Sequence, residues 1–102
     1  MCGITGILAT KESVPEDISA TIGRMVRMIG HRGPDGLGTW VGSGVVLGHA
    51  RLSIIDLSTA GQQPMANEDG SIQIVFNGEI YNFVELRAEL SERGYHFKSH
   101  TD

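Results

Sequence analysis

Short strand-like segments crowd the middle of the chain, and this crowding limits the folds that it can adopt. Residues 39–41 and 45–49 are apolar and β-rich, and Gly42-Ser43-Gly44 between them is a predicted hairpin turn. Residues 52–55 form a third such segment. Further strands are predicted at residues 3–9, 72–76 and 95–98. Strands that follow one another in a block favour antiparallel sheets with helices on the outer faces, so the sequence predicts an α+β fold.

Two segments carry the signals of α-helices. The first begins at Ser13-Val14-Pro15-Glu16, a capping box with proline in the first turn, and is predicted to end with Gly30 as its cap. The second is predicted to begin at Asn82 and to close at Gly94. Residues 58–71, between the helices, are predicted to form a long polar loop. One face of the first helix collects its apolar residues, which are Ile18, Ile22, Met25, Val26 and Ile29.

The composition excludes several classes of protein. A hydrophobic content of 40% with 20% charged residues is typical of a globular domain and not of a disordered chain. The net charge of −4 argues against nucleic-acid binding, which selects basic surfaces. No apolar run reaches the roughly 18–20 residues of a membrane span, so no membrane association is expected. One cysteine excludes an internal disulfide and a cysteine-rich zinc site, and the predicted compartment is the reducing cytoplasm.

Cys2 is the most informative residue, because removal of Met1 would make it the first residue of the mature chain. Such a chain carries a thiol and a free α-amine on one residue. These groups have reference pKa values of about 8.5 and about 7.7–8.0. The amine can therefore serve as the base for the thiol, without a histidine or aspartate partner. The alternative is a small buried cysteine at the start of a strand.

Polar residues further along the chain could complete a site around the thiol. A thiol that attacks an amide needs donors for the developing oxyanion, and Asn77-Gly78 offers a side-chain amide and an unhindered backbone N–H. The same pair is also the strongest short signal for a type I′ hairpin turn. Arg51 lies among apolar strand residues, where it could hold a carboxylate. Glu79 is an acid beside Asn77-Gly78 that could bind an ammonium, although each of these charges could equally lie on the surface.

Five motifs follow one another along the chain: MCGITGI, HRGPDGLG, LGHARLSIIDLS, GQQP and FNGEIYNF. In this order and spacing they resemble the glutaminase domain of glutamine-dependent asparagine synthetases. Those enzymes are class II glutamine amidotransferases of the N-terminal nucleophile hydrolase superfamily. The resemblance extends from Met1 to Asp102, and five motifs in order are far more specific than any one of them.

The resemblance implies a fold and a reaction. The fold is a four-layer αββα sandwich of two antiparallel sheets between helices, with this chain as its N-terminal part. In the reaction, Cys2 attacks the side-chain amide of L-glutamine while Asn77 and Gly78 form the oxyanion hole. Ammonia leaves, a glutamyl thioester remains on Cys2, and water releases glutamate.

The resemblance also implies a glutamine pocket. Arg51 would hold the substrate carboxylate, and Asp102 would hold its ammonium. The loop His31–Asp35 would lie near the site and help to order it. The implied pocket residues are Arg51, Leu52, Ser53, Ile54, Ile55, Asn77, Gly78, Glu79 and Asp102.

In the family, ammonia passes to a second domain, where ATP and Mg²⁺ activate aspartate as an adenylate and ammonia displaces AMP to give asparagine. We expect that synthetase domain to lie outside residues 1–102, since no G-x-x-x-x-G-K-[ST] loop occurs here and the closing KSHTD carries no cap or turn. This chain itself is therefore expected to need no cofactor and no metal. A homodimer is compatible with the resemblance for the full-length enzyme.

Alternatives remain open at this stage. Amidotransferases that make glucosamine 6-phosphate or phosphoribosylamine share the terminal cysteine and the Asn-Gly pair, but they lack LSIIDLS. An asparagine-synthetase-like enzyme could amidate a sugar acid or another carboxylate instead. The fold could also be kept as a non-catalytic module. A metal site built from His31, His49, His96 and His100 fits no known zinc spacing.

Overall fold

Two antiparallel sheets and two α-helices make up the fold, which the computed structural model describes for residues 1–10 and 16–102. The predicted α+β class is confirmed. Two short 3₁₀ turns, Gly30–Arg32 and Thr59–Gly61, join these elements. In chain order the elements are β1 (Gly3–Leu8), α1 (Ile18–Met28), β2 (Gly36–Val41), β3 (Val45–Arg51), β4 (Met65–Ala66), β5 (Gln73–Ile74) and α2 (Phe83–Glu92).

The main sheet has the strand order β1-β3-β2, so the longest strand, β3, lies in the centre. Both pairings are antiparallel: Gly3 of β1 lies opposite Ala50, and Gly36 of β2 lies opposite Arg51. Because side chains alternate across a strand, this register puts His49 and Arg51 on one face and Val46, Gly48 and Ala50 on the other. One face of the sheet is therefore available to pack against α1, and the face with His49 and Arg51 is available for a functional site.

Helix α1 packs on the second of these faces. Ile22 and Val26 are fully buried against Val46, and Ile18 is also buried. Each such side chain contributes about 1.5–3 kcal/mol on burial. The predicted apolar face of α1 is confirmed. The predicted capping box falls on residues 13–16, of which only Glu16 belongs to the described residues.

Glycine plays three different parts at the ends of these elements. Gly44 has a φ of +77° in the turn between β2 and β3, and Gly94 has a φ of +93° after α2, which confirms both predicted turns. The prediction for Gly30 is wrong, because α1 ends at Met28 with Ile29 as its cap and Gly30 opens a 3₁₀ turn.

Three predicted strands differ from the structure. Residues 52–55 are not a strand, because the Leu52 N–H bonds to the Cys2 sulfur and the Ser53 N–H to the Asp35 carboxylate. The predicted strand 95–98 is likewise a non-strand segment, whose His96 N–H donates to a glutamate side chain. The predicted strand 72–76 shrinks to β5, which pairs with β4 inside the predicted loop 58–71.

Helix α2 differs from α1 in that none of its residues is buried. Asn82 lies at its N-cap as predicted, although its side chain makes no capping hydrogen bond. None of the helices among residues 1–10 and 16–102 has the length and apolar character needed to cross a membrane.

Candidate active site

A cavity of about 540 Å³ lies between β3, the segment that follows it and the end of the chain. It collects every residue that the sequence analysis placed in a glutamine site. Side chains that the sequence analysis did not assign to the site also line it, among them His49, Asp56, Gln63 and Phe76. The predicted residues that line the cavity are Cys2, Arg51, Leu52, Ser53, Ile54, Ile55, Asn77, Gly78, Glu79 and Asp102.

The thiol of Cys2 is held at the edge of the main sheet. Its sulfur accepts a hydrogen bond from the Leu52 N–H at 3.3 Å and lies 3.5 Å from the Leu52 carbonyl oxygen. Continuing the β1–β3 register by one residue brings Cys2 opposite Arg51, on the same face as His49. The side chain is half-buried and unpaired with any other cysteine. The sheet thus presents a free thiol to the cavity.

The loop His31–Asp35 contacts the site through two charged residues, Arg32 and Asp35. Arg32 donates through Nε to the Cys2 carbonyl oxygen at 3.1 Å. Asp35 donates its N–H to the Arg51 carbonyl oxygen at 2.9 Å, and its carboxylate accepts from the Ser53 N–H at 2.7 Å. The loop therefore holds the backbone of Cys2 itself and the backbone of Arg51 and Ser53, which lies opposite it.

Arg51 is buried, with its guanidinium turned into the loop that follows β3. It donates through Nη1 to the Ser58 carbonyl oxygen at 2.6 Å and through Nη2 to the Asp56 carbonyl oxygen. A side chain on Gly61 would displace the guanidinium from this position. The sequence predicted only a carboxylate partner for Arg51, and the structure adds this backbone role. A guanidinium has five N–H donors, so these two bonds leave others for a ligand.

Asp56 connects this loop to the last residues of the chain. Its carboxylate accepts from the Ser58 hydroxyl at 2.6 Å, from the Ser58 N–H at 2.8 Å and from the His100 N–H at 2.9 Å. These bonds, the one from the Ser58 hydroxyl first, lower the pKa of Asp56 to about 2. The Asp-x-Ser spacing is a known local turn signal, and it could have indicated this residue.

The Asn77–Gly78 turn is not a type I′ hairpin. That turn needs a positive φ at its central residues, and within the described residues only Gly44, Gly70 and Gly94 have one. The turn is fixed from its far side by Asp102, whose carboxylate accepts from the Ile80 N–H at 2.7 Å. Asn77 and Gly78 therefore line the cavity as a turn, and neither residue belongs to a β-strand.

The backbone of Phe76, just before this turn, is held by two side chains. Its N–H donates to the Gln63 side-chain oxygen at 2.5 Å, and its carbonyl oxygen lies 3.3 Å from Nε2 of His49. His49 is fully buried, and burial lowers its pKa; the Phe76 contact opposes that lowering and the Arg51 charge adds to it. Its Nδ1 has no hydrogen-bond partner among the described residues.

The assembled groups suit amide chemistry on a small polar substrate. Cys2, Asn77 and Gly78 line one cavity with the buried Arg51 and with two acidic residues, Glu79 and Asp102. Opposite charges at the two ends of such a cavity can hold an amino acid. Within residues 1–10 and 16–102, no three histidine, cysteine or acidic side chains are grouped so that they could hold a metal ion.

Comparison with known proteins agrees with this chemistry. The family model described as glutamine amidotransferase domain matches residues 1–102. Asparagine synthetase [glutamine-hydrolyzing] 1 of Bacillus subtilis is 44% identical, with all of this chain and 16% of the relative covered. Asparagine synthetase B [glutamine-hydrolyzing] of Escherichia coli is 38% identical, with all of this chain and 18% of the relative covered.

A third relative, a probable asparagine synthetase [glutamine-hydrolyzing] of Dictyostelium discoideum, is 42% identical over the whole of this chain. The chain spans 16–18% of the length of these three relatives. The predicted resemblance is confirmed, and the chain belongs to the glutamine amidotransferase domain family.

Proposed function

We propose that this glutamine amidotransferase domain hydrolyses L-glutamine with Cys2 as its nucleophile. Removal of Met1, which is 74% exposed, frees the α-amine of Cys2. The amine takes the thiol proton while the sulfur attacks the side-chain amide carbon. The C–N bond breaks, the proton leaves with ammonia, and a glutamyl thioester remains. Water then cleaves the thioester to give glutamate and restores the thiol.

In this proposal, Asn77 and Gly78 stabilise the oxyanion of both tetrahedral intermediates. The Asn77 side-chain amide and the Gly78 N–H are the donors, and both residues line the cavity that holds the thiol. Donors fixed before the reaction stabilise charge only as it develops, and one such donor is worth about 10²–10³ in rate. The observation that carries the proposal is the joint presence of this pair and Cys2 in one cavity.

We assign the substrate's α-carboxylate to Arg51 and its ammonium to Asp102, with Glu79 nearby. Arg51 is buried, so an ion pair with it is screened little by water. Asp102 already accepts from Ile80 through one carboxylate oxygen, and its second oxygen is 3.3 Å from the Thr101 hydroxyl. Residues 52–55 complete the wall of the glutamine pocket.

For the whole protein we propose a glutamine-dependent asparagine synthetase. Residues 1–102 are then the N-terminal part of a four-layer αββα glutaminase domain, and ATP, Mg²⁺ and aspartate act in a synthetase domain outside them. Whole-chain matches to three enzymes named as asparagine synthetases support this choice of acceptor. An enzyme that amidates another carboxylate, such as a sugar acid, differs only in that second domain.

The test is a comparison of two nitrogen sources in the full-length protein. Cys2→Ala is expected to abolish glutamine hydrolysis and to leave asparagine synthesis from added ammonia intact. Cys2→Ser is the matched control, because it keeps the shape and the amine but weakens the nucleophile. Glutamine hydrolysis by Cys2→Ala at the unmodified rate would overturn the proposal. Absence of hydrolysis in the unmodified protein would favour a non-catalytic module.

A further inference from the structure

We infer that His49 and Gln63 are positioning residues for the proposed hydrolysis: they fasten the backbone of Phe76, and with it the Asn77–Gly78 turn, to the sheet that carries Cys2. The inference rests on the proposed function and adds two residues to it. Neither side chain touches the reacting atoms in this account. Each acts through the backbone of the oxyanion donors.

The two bonds hold the two peptide groups that flank the Cα of Phe76. The Phe76 N–H meets the Gln63 oxygen at 2.5 Å, and the Phe76 carbonyl oxygen meets Nε2 of His49 at 3.3 Å. A residue whose N–H and carbonyl oxygen are both hydrogen-bonded cannot change its φ or ψ freely without breaking one of these bonds. Since the next residue is Asn77, the grip sets where the turn begins.

His49 and Gln63 are both attached to the main sheet, which carries the thiol. His49 lies in β3 opposite Ile4 of β1, two residues from Cys2 and on the same face. Gln63 lies over β2, where a side chain on Gly38 would collide with its carbonyl oxygen. The grip therefore ties the turn to the sheet that carries the nucleophile.

Few other hydrogen bonds hold the Asn77–Gly78 turn in place. Strand β5 ends at Ile74, and its only pairing partner among the described residues is β4. No backbone–backbone hydrogen bond in the described part of the chain involves residues 76–79. What remains is the Asp102 bond to Ile80 on the far side of the turn. Loss of the near-side grip would let the oxyanion donors move relative to the sulfur.

His49 is poorly explained as a packing residue. It is fully buried, and its Nδ1 finds no partner among the described residues, which is costly for a polar atom. Burial also lowers its pKa, which favours the neutral ring. A neutral ring that donates from Nε2 leaves Nδ1 as the acceptor without a donor. An apolar side chain would pack there without that cost, so the gain from histidine is its bond to Phe76.

The experiment compares two reactions of the same thiol in the full-length protein. Glutamine hydrolysis passes through an oxyanion, whereas alkylation by iodoacetamide joins sulfur to carbon as iodide leaves and forms no oxyanion. His49→Leu is expected to lower kcat for glutamine about 10–100-fold with little change in KM, because a small misplacement of catalytic groups costs that much. Its alkylation rate at Cys2 and its Tm should match those of the unmodified protein.

The controls separate positioning from general damage. His49→Gln keeps a donor near the same place and should restore most of kcat, while Gln63→Met should lower kcat and Gln63→Glu should restore it. If His49→Leu fails to fold, the Gln63 pair tests the inference alone. A double variant with Asn77→Ala should lose less than the product of the two single losses, since both substitutions act on one group of donors.

Unchanged kcat in both His49→Leu and Gln63→Met would overturn the inference, as would equal losses in hydrolysis and alkylation. Additive losses in the double variant would also overturn it. These outcomes leave the proposed function standing, because that function fails only if Cys2→Ala still hydrolyses glutamine or if the unmodified protein does not.

Discussion

The two halves of this molecule hold their share of the site by different means. In the first half, α1 buries Ile22 and Val26 against β3, and the sheet that results carries Cys2 and Arg51. From residue 61 onward only Gly61 and Ser99 are buried, and α2 buries nothing. That second half nevertheless supplies Asn77 and Gly78, the proposed oxyanion pair, and Asp102. Packing therefore positions the proposed nucleophile, whereas another kind of interaction must position Asn77, Gly78 and Asp102.

Side-chain hydrogen bonds to backbone groups fill that need. Asp56 holds the His100 N–H, and Arg87 of α2 holds the carbonyl oxygens of Ser99 and Thr101 at 2.8 and 3.0 Å. Each such bond contributes about 0.5–1.5 kcal/mol, or about 1.5–3 when one group is charged. Chemistry in this domain is therefore expected to be sensitive to polar substitutions, and stability to apolar ones in α1 and β3.

After Cys2→Ala, the largest effect is expected from Asn77→Ala in the full-length protein. Loss of one oxyanion donor should lower kcat for glutamine by about 10²–10³, with little change in KM or Tm, because Asn77 lies in the half with little burial. Steady-state kinetics and thermal unfolding measure these quantities. A large rise in KM with unchanged kcat would remove Asn77 from the oxyanion hole.

The next effect is on stability and contrasts the two helices. Ile22→Ala should cost about 2–5 kcal/mol of unfolding free energy, since Ile22 is fully buried. Val84→Ala is the matched control on α2, where Val84 is 62% exposed, and should change stability by less than about 0.5 kcal/mol. Urea unfolding of the 102-residue chain, followed by circular dichroism, gives both values. Equal costs would contradict the division into two halves.

Arg51 lies in the cavity that residues of both halves line, so its substitution should affect substrate binding. Arg51→Ala is expected to raise KM for glutamine about 10–100-fold, the value of one or two charge-assisted hydrogen bonds. Arg51→Lys keeps the charge but loses the fork of donors, and should recover only part of the affinity. A KM equal to that of the unmodified protein would place Arg51 outside the glutamine pocket and leave it with its structural bonds.

The smallest effect concerns pH and Asp56. Its pKa is about 2 in the folded protein against an ordinary 3.8, so the folded state binds fewer protons between these values. The stability that the carboxylate contributes is therefore complete above pH 3.8 and is lost as pH falls through about 2. Asp56→Asn should be less stable than the unmodified chain at pH 6, and this difference should shrink on acidification. A difference that stays constant down to pH 2 would contradict the assignment.

Local patterns predicted the packed half well. The apolar face of α1 and the turn at Gly44 depend on neighbouring residues, and both are confirmed. Residues 52–55 show why other predictions were wrong. Their composition favours a strand, but their N–H groups bond to the side chains of Cys2 and Asp35, which are distant in sequence.

The same distinction holds for the site. The ten predicted residues line one cavity, although the resemblance and not the spacing brought most of them together. Gln63 lies in the GQQP motif, but nothing near it indicates its partner, Phe76, which is distant along the chain. His49 could have been found, since strand alternation puts it on the face of Arg51. Tertiary hydrogen bonds to backbone groups leave no periodic pattern in a sequence.

The most direct test is the mass of the N-terminal peptide in a full-length preparation that is hydrolysing glutamine. The account predicts that this peptide begins with Cys2, because only then does its own amine serve as the base for the thiol. A fully active preparation whose peptide still carries Met1 would contradict the account.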